Sequence, residues 1–463
     1  LLDKSLLRKD RARIFMHPLV HQLAALRLDD ADREATFRAH ALYFNRMLAH
    51  LQPAVENGNR EALQQVENDF ENCRIAWRWS WEHSAKALQQ TATTIEYFCD
   101  YRGRFEQGLG LLREAVDSPV GKSDKYISSL LLRKVAQLEY RLDRYAEAQQ
   151  TAQYALDDAN ASDNKEAKVK CLNVLGTCCL QLGRLQDARN FFAQSLREAS
   201  ADSVPHREAV VLDHLALVEK GLAHYDEALR LSLQSLAKHR QIGDFAGEAL
   251  CLNNLGDLYL VMQQYEPAAE QFRAGLAICD THGLTNTRGS LLLNLAEVAL
   301  KSNNLEAAQD YGQRALEVAE VSGYRALVCW TKLLLTRLAL RQAETAAARR
   351  ELASAVELAI SLGRPSLQIA SISCFADLLE HHGDAQSARY VLSLAAHYPA
   401  IRPADRDEVL RQLSRLPPGA DPTPASPKIT LDELLHRVVV ETDVGYSSLT
   451  AYLRKSFDTT VSA

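Results

Sequence analysis

Apolar and small residues along the centre of the chain follow a helical rhythm interrupted at regular intervals. The stretch Ala249–Ile278 shows it most clearly. Its pattern predicts two short helices joined by a tight turn, with Gly256 and Ala268 where the helices cross and Gly275 further along the second. Leu255, Tyr259, Tyr265 and Phe272 are the bulky residues that fill around them. A single hairpin of this kind cannot bury its own apolar face, so neighbours are required.

The neighbours are present in strict register. Small or near-small residues recur every 40 positions at Ala136, Gly176, Ala216, Gly256, Ala296, Thr336 and Ala376, each preceded by an apolar residue. Twelve positions later stand Ala148, Ala188, Ala228, Ala268, Ala308, Ala348 and Ala388. A small residue there lets two helix backbones approach as a leucine would not. Gly243, Gly283, Gly323 and Gly363 share the same spacing just past the second helices, where glycine supplies a left-handed C-terminal cap. Pro205 and Pro365 occupy another shared loop position. Gly103, Phe105 and Ala115 carry the phase back to one degenerate unit.

The order of Leu-Gly, aromatic, Ala and Phe in residues 249–278 resembles the tetratricopeptide repeat, with a longer period than that of the plain motif. The implied fold is all-α: a right-handed, tetratricopeptide-like α-solenoid of seven clear hairpins and one degenerate one over residues 96–398. In such solenoids one side of each first helix lines a concave groove. Here, positions three before, one after and four after the marker fall on that side. Its polar members are Arg133, Gln137, Tyr140, Asn173, Thr177, Asp213, Lys220, Asn253, Asp257, Glu297, Arg337, Asp377 and Glu380. Polar and apolar residues alternate along the row, as suits a protein or peptide segment. One use of the repeat is a Lys/Asn/Arg clamp on a terminal carboxylate. Asp213, Asp257 and Glu297 in mid-groove depart from it and favour a basic or neutral polar segment.

Composition narrows the partners. With 53 basic and 59 acidic residues the formal charge is −6, which argues against a nucleic-acid-binding surface. No apolar run reaches the roughly 18 residues that span a bilayer. The nine cysteines include no C-x-x-C pair, and Cys171 and Cys251 sit at equivalent packing positions, as reduced core thiols of a cytoplasmic protein would. Neither the vicinal Cys178–Cys179 nor His381–His382 has metal-ligand spacing. Phosphate-loop, dinucleotide, G-x-S-x-G, H-E-x-x-H and EF-hand patterns are absent, so no catalytic residue, metal or cofactor is expected.

The flanks carry a second resemblance. LLDKSLLR…RIFMHPLVHQLAALRL reads as a helix end, a basic turn, a strand over RIFM and a helix opening near Pro18, with REATFRAHALYFNRML following. This is similar to the end of the winged-helix module in STAND regulators, the signal-transducing P-loop ATPases found among bacterial transcription activators. Their acidic-Asn-Arg-Ala-Ala-Trp run stands here as VENDFENCRIAWRWSWEHS, with Phe70 and Cys73 departing from it and Trp77 and Trp81 forming a packed seam. HYPAIRPADRDEVLRQLSRLPPG and ITLDELLHRVV resemble the family's closing segment, a turn, a short helix and an apolar capping helix opened by Thr430 and Glu433. The expected division is a winged-helix end at 1–50, a helical connector at 51–95, the array at 96–398, a Pro-rich linker at 399–428 and a helical cap or tail at 429–463. Seven of the 13 prolines lie between Pro399 and Pro427. The chain starts at Leu1, so the resemblance implies nucleotide-binding and effector domains in cis, upstream. The chain itself would bind a protein or peptide segment, or a small inducer, and bias that switch. A freestanding repeat scaffold is the alternative.

Overall fold

The computed structural model describes residues 7–10, 13–16, 26–201, 205–399, 401–417 and 433–436. After a short antiparallel ladder, β1 (Leu7–Asp10) with β2 (Arg13–Met16), the chain is helical. Helices α1 (Asp30–Glu56), α2 (Arg60–Asn68) and α3 (Phe70–His83) precede the array. The degenerate unit is α4 (Ala85–Arg102) and α5 (Phe105–Asp117), followed by the single turn α6 (Pro119–Ser123).

Seven regular hairpins follow. They are α7 (Lys125–Arg141) with α8 (Tyr145–Ala161), α9 (Lys165–Gln181) with α10 (Leu185–Ala201), and α11 (Pro205–Gly221) with α12 (Tyr225–Ile242). Next come α13 (Phe245–Val261) with α14 (Tyr265–His282), and α15 (Thr285–Lys301) with α16 (Leu305–Ser322). The last two are α17 (Arg325–Arg341) with α18 (Thr345–Leu362), and α19 (Pro365–His381) with α20 (Ala385–Ala396). A further helix, α21, spans Pro403–Arg415.

Local chemistry sets these bounds. Asp124, Asn164 and Asp244 each accept a backbone N–H from the first turn of the helix they open. Gly243, Gly283, Gly323 and Gly363 end second helices at φ between +61° and +73°, as their spacing predicts. A further left-handed position inside each hairpin turn keeps the same spacing, at Asp143, Gly183, Ala223, Gln263, Asn303, Ala343 and Gly383. Only two of these are glycine, so residue type did not reveal it.

In the first five regular hairpins marker size and second-helix size are matched, whereas Thr336 with Leu352 and Ala376 with Leu392 do not keep the rule. Where the marker is glycine, the residue 16 positions on is phenylalanine: a Cβ at Gly176 would lie 2.6 Å from the Phe192 ring, and one at Gly256 would overlap Phe272. Beside Ala136, Ala216 and Ala296 stand Ala152, Ser232 and Gly312. Gly256→Ala is therefore expected to destabilise the chain by about 1–3 kcal/mol through overpacking, despite alanine's higher helix propensity. Gly110, also helical but with nothing within 4 Å of a Cβ, should gain up to about 1 kcal/mol from the same change. Urea-unfolding midpoints of the two variants, shifted in opposite directions, would verify this.

Three expectations are corrected. Leu7–Asp10, read as a helix end and basic turn, is a strand whose partner is the predicted strand at Arg13–Met16. The boundary at 50/51 falls inside α1, which runs unbroken to Glu56, and that at 95/96 inside α4, because the degenerate unit already begins at Ala85. Residues 403–415 of the Pro-rich linker form α21, with Pro403 in its first turn, where the missing N–H costs no hydrogen bond. The helix opening near Pro18, Thr430 and residues 437–463 lie outside the described residues, while 433–436 of the expected cap are helical, with Leu434 and Leu435 buried in the core. The tryptophan seam is present: Trp77 is fully buried and its indole N–H donates to the Leu111 carbonyl, while Trp81 packs at the edge of the same core.

Packing within the array is local, but its ends are not. The middle hairpins bury small separate clusters, whereas one continuous core joins residues 48–142 to residues 326–435. Arg102 lies against Gly323, Asp143 bonds Arg364 and Arg402 bonds Gln181, and each of these contacts spans 221 residues. At the spacing of the repeat this is about five and a half hairpins per superhelical turn, after which hairpin turns meet the junctions between later hairpins. The solenoid closes on itself.

Candidate functional site

First helices pack against the first helices before and after them, α7 on α9, α9 on α11 and onward to α17 on α19. Second helices pack on their own and the next hairpin's first helix. First helices thus line the inner, concave side, and the polar row lies on it.

The structure joins much of that row into a ladder between consecutive first helices. The Tyr140 hydroxyl accepts a hydrogen bond from Gln181 at 3.0 Å. Lys220 pairs with Asp257, and Asn294 donates to Asn253 at 2.9 Å. Arg337 approaches Asp377 at 3.5 Å. Other members bond within their own helix or hairpin. Arg133 donates to Gln137, Thr177 to the Val174 carbonyl, and Lys301 lies 3.3 Å from Glu297. Asn173 accepts from Ser195 of the second helix at 2.7 Å. Glu380 is exposed.

Two acidic members are withdrawn from the open face. Asp213 is buried, and His239 Nε2 lies 3.2 Å from its Oδ2. Asp377 is covered by α21, whose Gln412 donates to its carboxylate and to the Ser373 carbonyl. The mid-groove acids are thus partnered within the chain, Asp257 by Lys220, Glu297 by Lys301 and the buried Asp213 by the His239 imidazole. That removes the electrostatic case for a strongly basic occupant and leaves a polar surface of balanced charge.

Sequence reasoning missed the ladder partners Gln181 and Asn294, which stand one residue outside the assumed positions. It also missed Arg402 and Gln412, which only the return of α21 brings to the inner face. The seam was missed entirely. There the Asp143 carboxylate accepts hydrogen bonds from the Ser366 backbone N–H at 2.9 Å, the Ser366 hydroxyl and the Tyr145 hydroxyl, with Arg364 at 3.4 Å. An aspartate at a turn position where glycine fits better was the one available signal.

No described helix is long and apolar enough to cross a membrane. The nine cysteines are free and buried, and burial pushes the thiols of Cys73, Cys99, Cys178, Cys279 and Cys329 up to about 12, where they are inert.

The tetratricopeptide repeat family model matches residues 126–197, the first two regular hairpins. No curated protein sequence matches the chain. Among solved structures, the chain is similar to a STAND protein with a tetratricopeptide repeat sensor from Pyrococcus horikoshii, at 16% identity over 89% of this chain and 59% of that one, TM-score 0.46. It is also similar to a Rap protein complexed with competence and sporulation factor, at 14% identity over 90% and 99% of the two chains, TM-score 0.46. NprR in complex with its cognate peptide NprX is a third, at 13% identity over 76% and 96%, TM-score 0.45. The hairpin geometry and the family model agree on the repeat: the chain carries a tetratricopeptide-type solenoid, a protein-interaction fold.

Proposed function

We propose that this chain is the sensing and interaction arm of a STAND-type regulatory ATPase. Its inner face would take up a neutral polar protein or peptide segment, or a small inducer. The observation that supports this most is the inner face itself, with half-exposed amides, hydroxyls and paired charges along a solenoid whose ends meet. Amide-rich surfaces of balanced charge suit extended peptide backbone, which offers both donors and acceptors. A closed superhelical turn supplies a second requirement of a sensor: an arrangement with a discrete alternative, seam open or seam closed, between which a ligand could discriminate. Nucleotide chemistry would reside in a domain in cis, and the flanking resemblance to STAND regulators supports that assignment.

The groove reading is tested by selecting displayed peptides on the immobilised chain and measuring their affinity for an Asp257→Lys/Glu297→Lys variant. Both side chains are near half exposed, 42% and 43%, so the variant should keep its helical circular dichroism. Selected peptides should bind it at least about tenfold more weakly, since like charges beside Lys220 and Lys301 reorganise the face. Equal affinity would remove the groove from the proposal. The regulatory half is tested by the coding sequence upstream of Leu1, where a phosphate-loop motif is expected within roughly 300 residues.

A further inference from the structure

Hairpins three and four meet at a cluster that the other junctions lack. His239, in the last turn of α12, is fully buried, a rare setting for an imidazole. Its equivalents in neighbouring hairpins are small: Ala159, Ala199, Cys279, Ala319 and Ala359. Space for the ring comes from Gly247 on α13, where any Cβ would run into the imidazole. The positions equivalent to Gly247 hold Ile127, Ala167, Arg207, Thr287, Leu327 and Leu367, none of them glycine. A large polar residue and the glycine that admits it therefore occur together, once.

The groups around the ring are arranged as a ligand set. His239 Nδ1 lies 2.9 Å from Asp244 Oδ2, and His206 Nδ1, from the first turn of α11, lies 3.0 Å from the same oxygen. One ligand atom from each of the three residues falls within 4.8 Å of the other two. Asp244 is fixed by its other oxygen, which caps α13 through the Gly247 N–H at 3.0 Å. On the far side of His239, Nε2 meets the buried Asp213 at 3.2 Å. With Nε2–H donating to Asp213, the Nδ1 lone pair faces a carboxylate oxygen, which requires a proton or a metal cation between them. A second imidazole nitrogen converging on that same oxygen favours the metal, which all three atoms can share.

We propose that His206, His239 and Asp244 bind one divalent transition-metal ion, zinc by the donor set, with Asp213 as the supporting carboxylate behind His239. Two imidazole nitrogens and one carboxylate oxygen are the donors of borderline-soft cations rather than of magnesium or calcium. A carboxylate behind a ligating histidine fixes its tautomer and raises its basicity, and Asp213 stands there. Two carboxylates also balance a dication in a half-buried site. A fourth coordination position remains on the side of the exposed His206, for water or a partner's ligand. The ion would tie α11, the end of α12 and the start of α13 together, stiffening the middle of the array at Asp213, on its inner face.

The test is a titration of the full chain, stripped by chelator, with Co2+ followed by displacement with Zn2+. The expected result is saturable uptake of a single equivalent with the visible absorption of four-coordinate cobalt, bleached by zinc. His206→Ala, at an exposed position that leaves the fold intact, and Asp244→Asn should each weaken uptake at least about tenfold. A rise in melting temperature with zinc should occur in the parent chain and vanish in His206→Ala. Lack of single-equivalent uptake by the parent chain would overturn the proposal, as would equal uptake by His206→Ala, which would place the metal on other histidines.

Discussion

Asp143→Ala is expected to unfasten the seam between the first and last hairpins and to cost about 3 kcal/mol or more. The carboxylate is 1% exposed and is shared by the Ser366 backbone N–H, the Ser366 and Tyr145 hydroxyls and the Arg364 guanidinium. Removing it leaves a cation and several donors without their acceptor in a buried interface. Away from the joined ends the hairpins pack on adjacent repeats, so secondary structure should persist while the superhelix opens. Small-angle scattering should show a larger radius of gyration at nearly unchanged helical circular dichroism. An unchanged radius would mean that the rest of the joined core, not Asp143, holds the seam.

The same carboxylate gives the seam a pH dependence of definite sign. Burial alone would raise its pKa, but Arg364 and the hydrogen bonds from Ser366 and Tyr145 outweigh that and hold it below its ordinary 3.8. A group whose folded pKa is lowered contributes stability that is present above its unfolded pKa and lost as pH falls through the folded value. The seam's contribution should therefore be intact above about pH 4 and decline only in stronger acid. Asp143→Asn, which keeps the shape and removes the charge, should abolish this component.

Glu96→Ala is expected to be of similar or greater severity, costing about 3–5 kcal/mol, because it strands a buried lysine. Glu96 stands one repeat before Ala136, at the helix-crossing position of the degenerate unit, where regular hairpins carry a small residue. Its partner is Lys134 on α7, and the two side chains are 5% and 6% exposed. The Tyr97 ring lies 5.9 Å from the lysine Nζ. Burial depresses the lysine pKa, and Glu96 works against that shift. Without Glu96 the ammonium must lose its proton or draw in water. Replacing both partners, Glu96→Leu with Lys134→Met, should restore most of the stability, since an apolar pair of similar size has no desolvation cost. Chemical denaturation of the single and double variants would check it; a double variant as unstable as the single would show that the pair is not the cause.

Most of the architecture was legible because it repeats. A small residue such as Gly256, a second-helix alanine such as Ala268 and a capping glycine such as Gly283 each answer to a local steric demand, and local demands recur with the repeat. The inner row was legible to the same extent: helical geometry puts Asn253 and Asp257 on one side of α13 whatever surrounds them. Which of those residues remain open was not legible, because that depends on the next helix. Lys220 neutralises Asp257 only because α11 lies beside α13, and Asp213 turns inward only because Gly247 leaves room for His239.

The hairpin, its fixed period and the face that each first helix turns to the groove are all encoded in the linear order of residues. They follow from side-chain size and helical geometry within one or two neighbouring units. Closure of the array after a span of 221 residues is a property of the folded chain alone. The rotation from one hairpin to the next is small and is set by the summed packing of whole interfaces. No single residue encodes where the accumulated turn brings Asp143 against Ser366, or α21 against the inner face. The polar ladder, the seam and the histidine cluster are products of that closure and packing. They are the features from which a function can be argued.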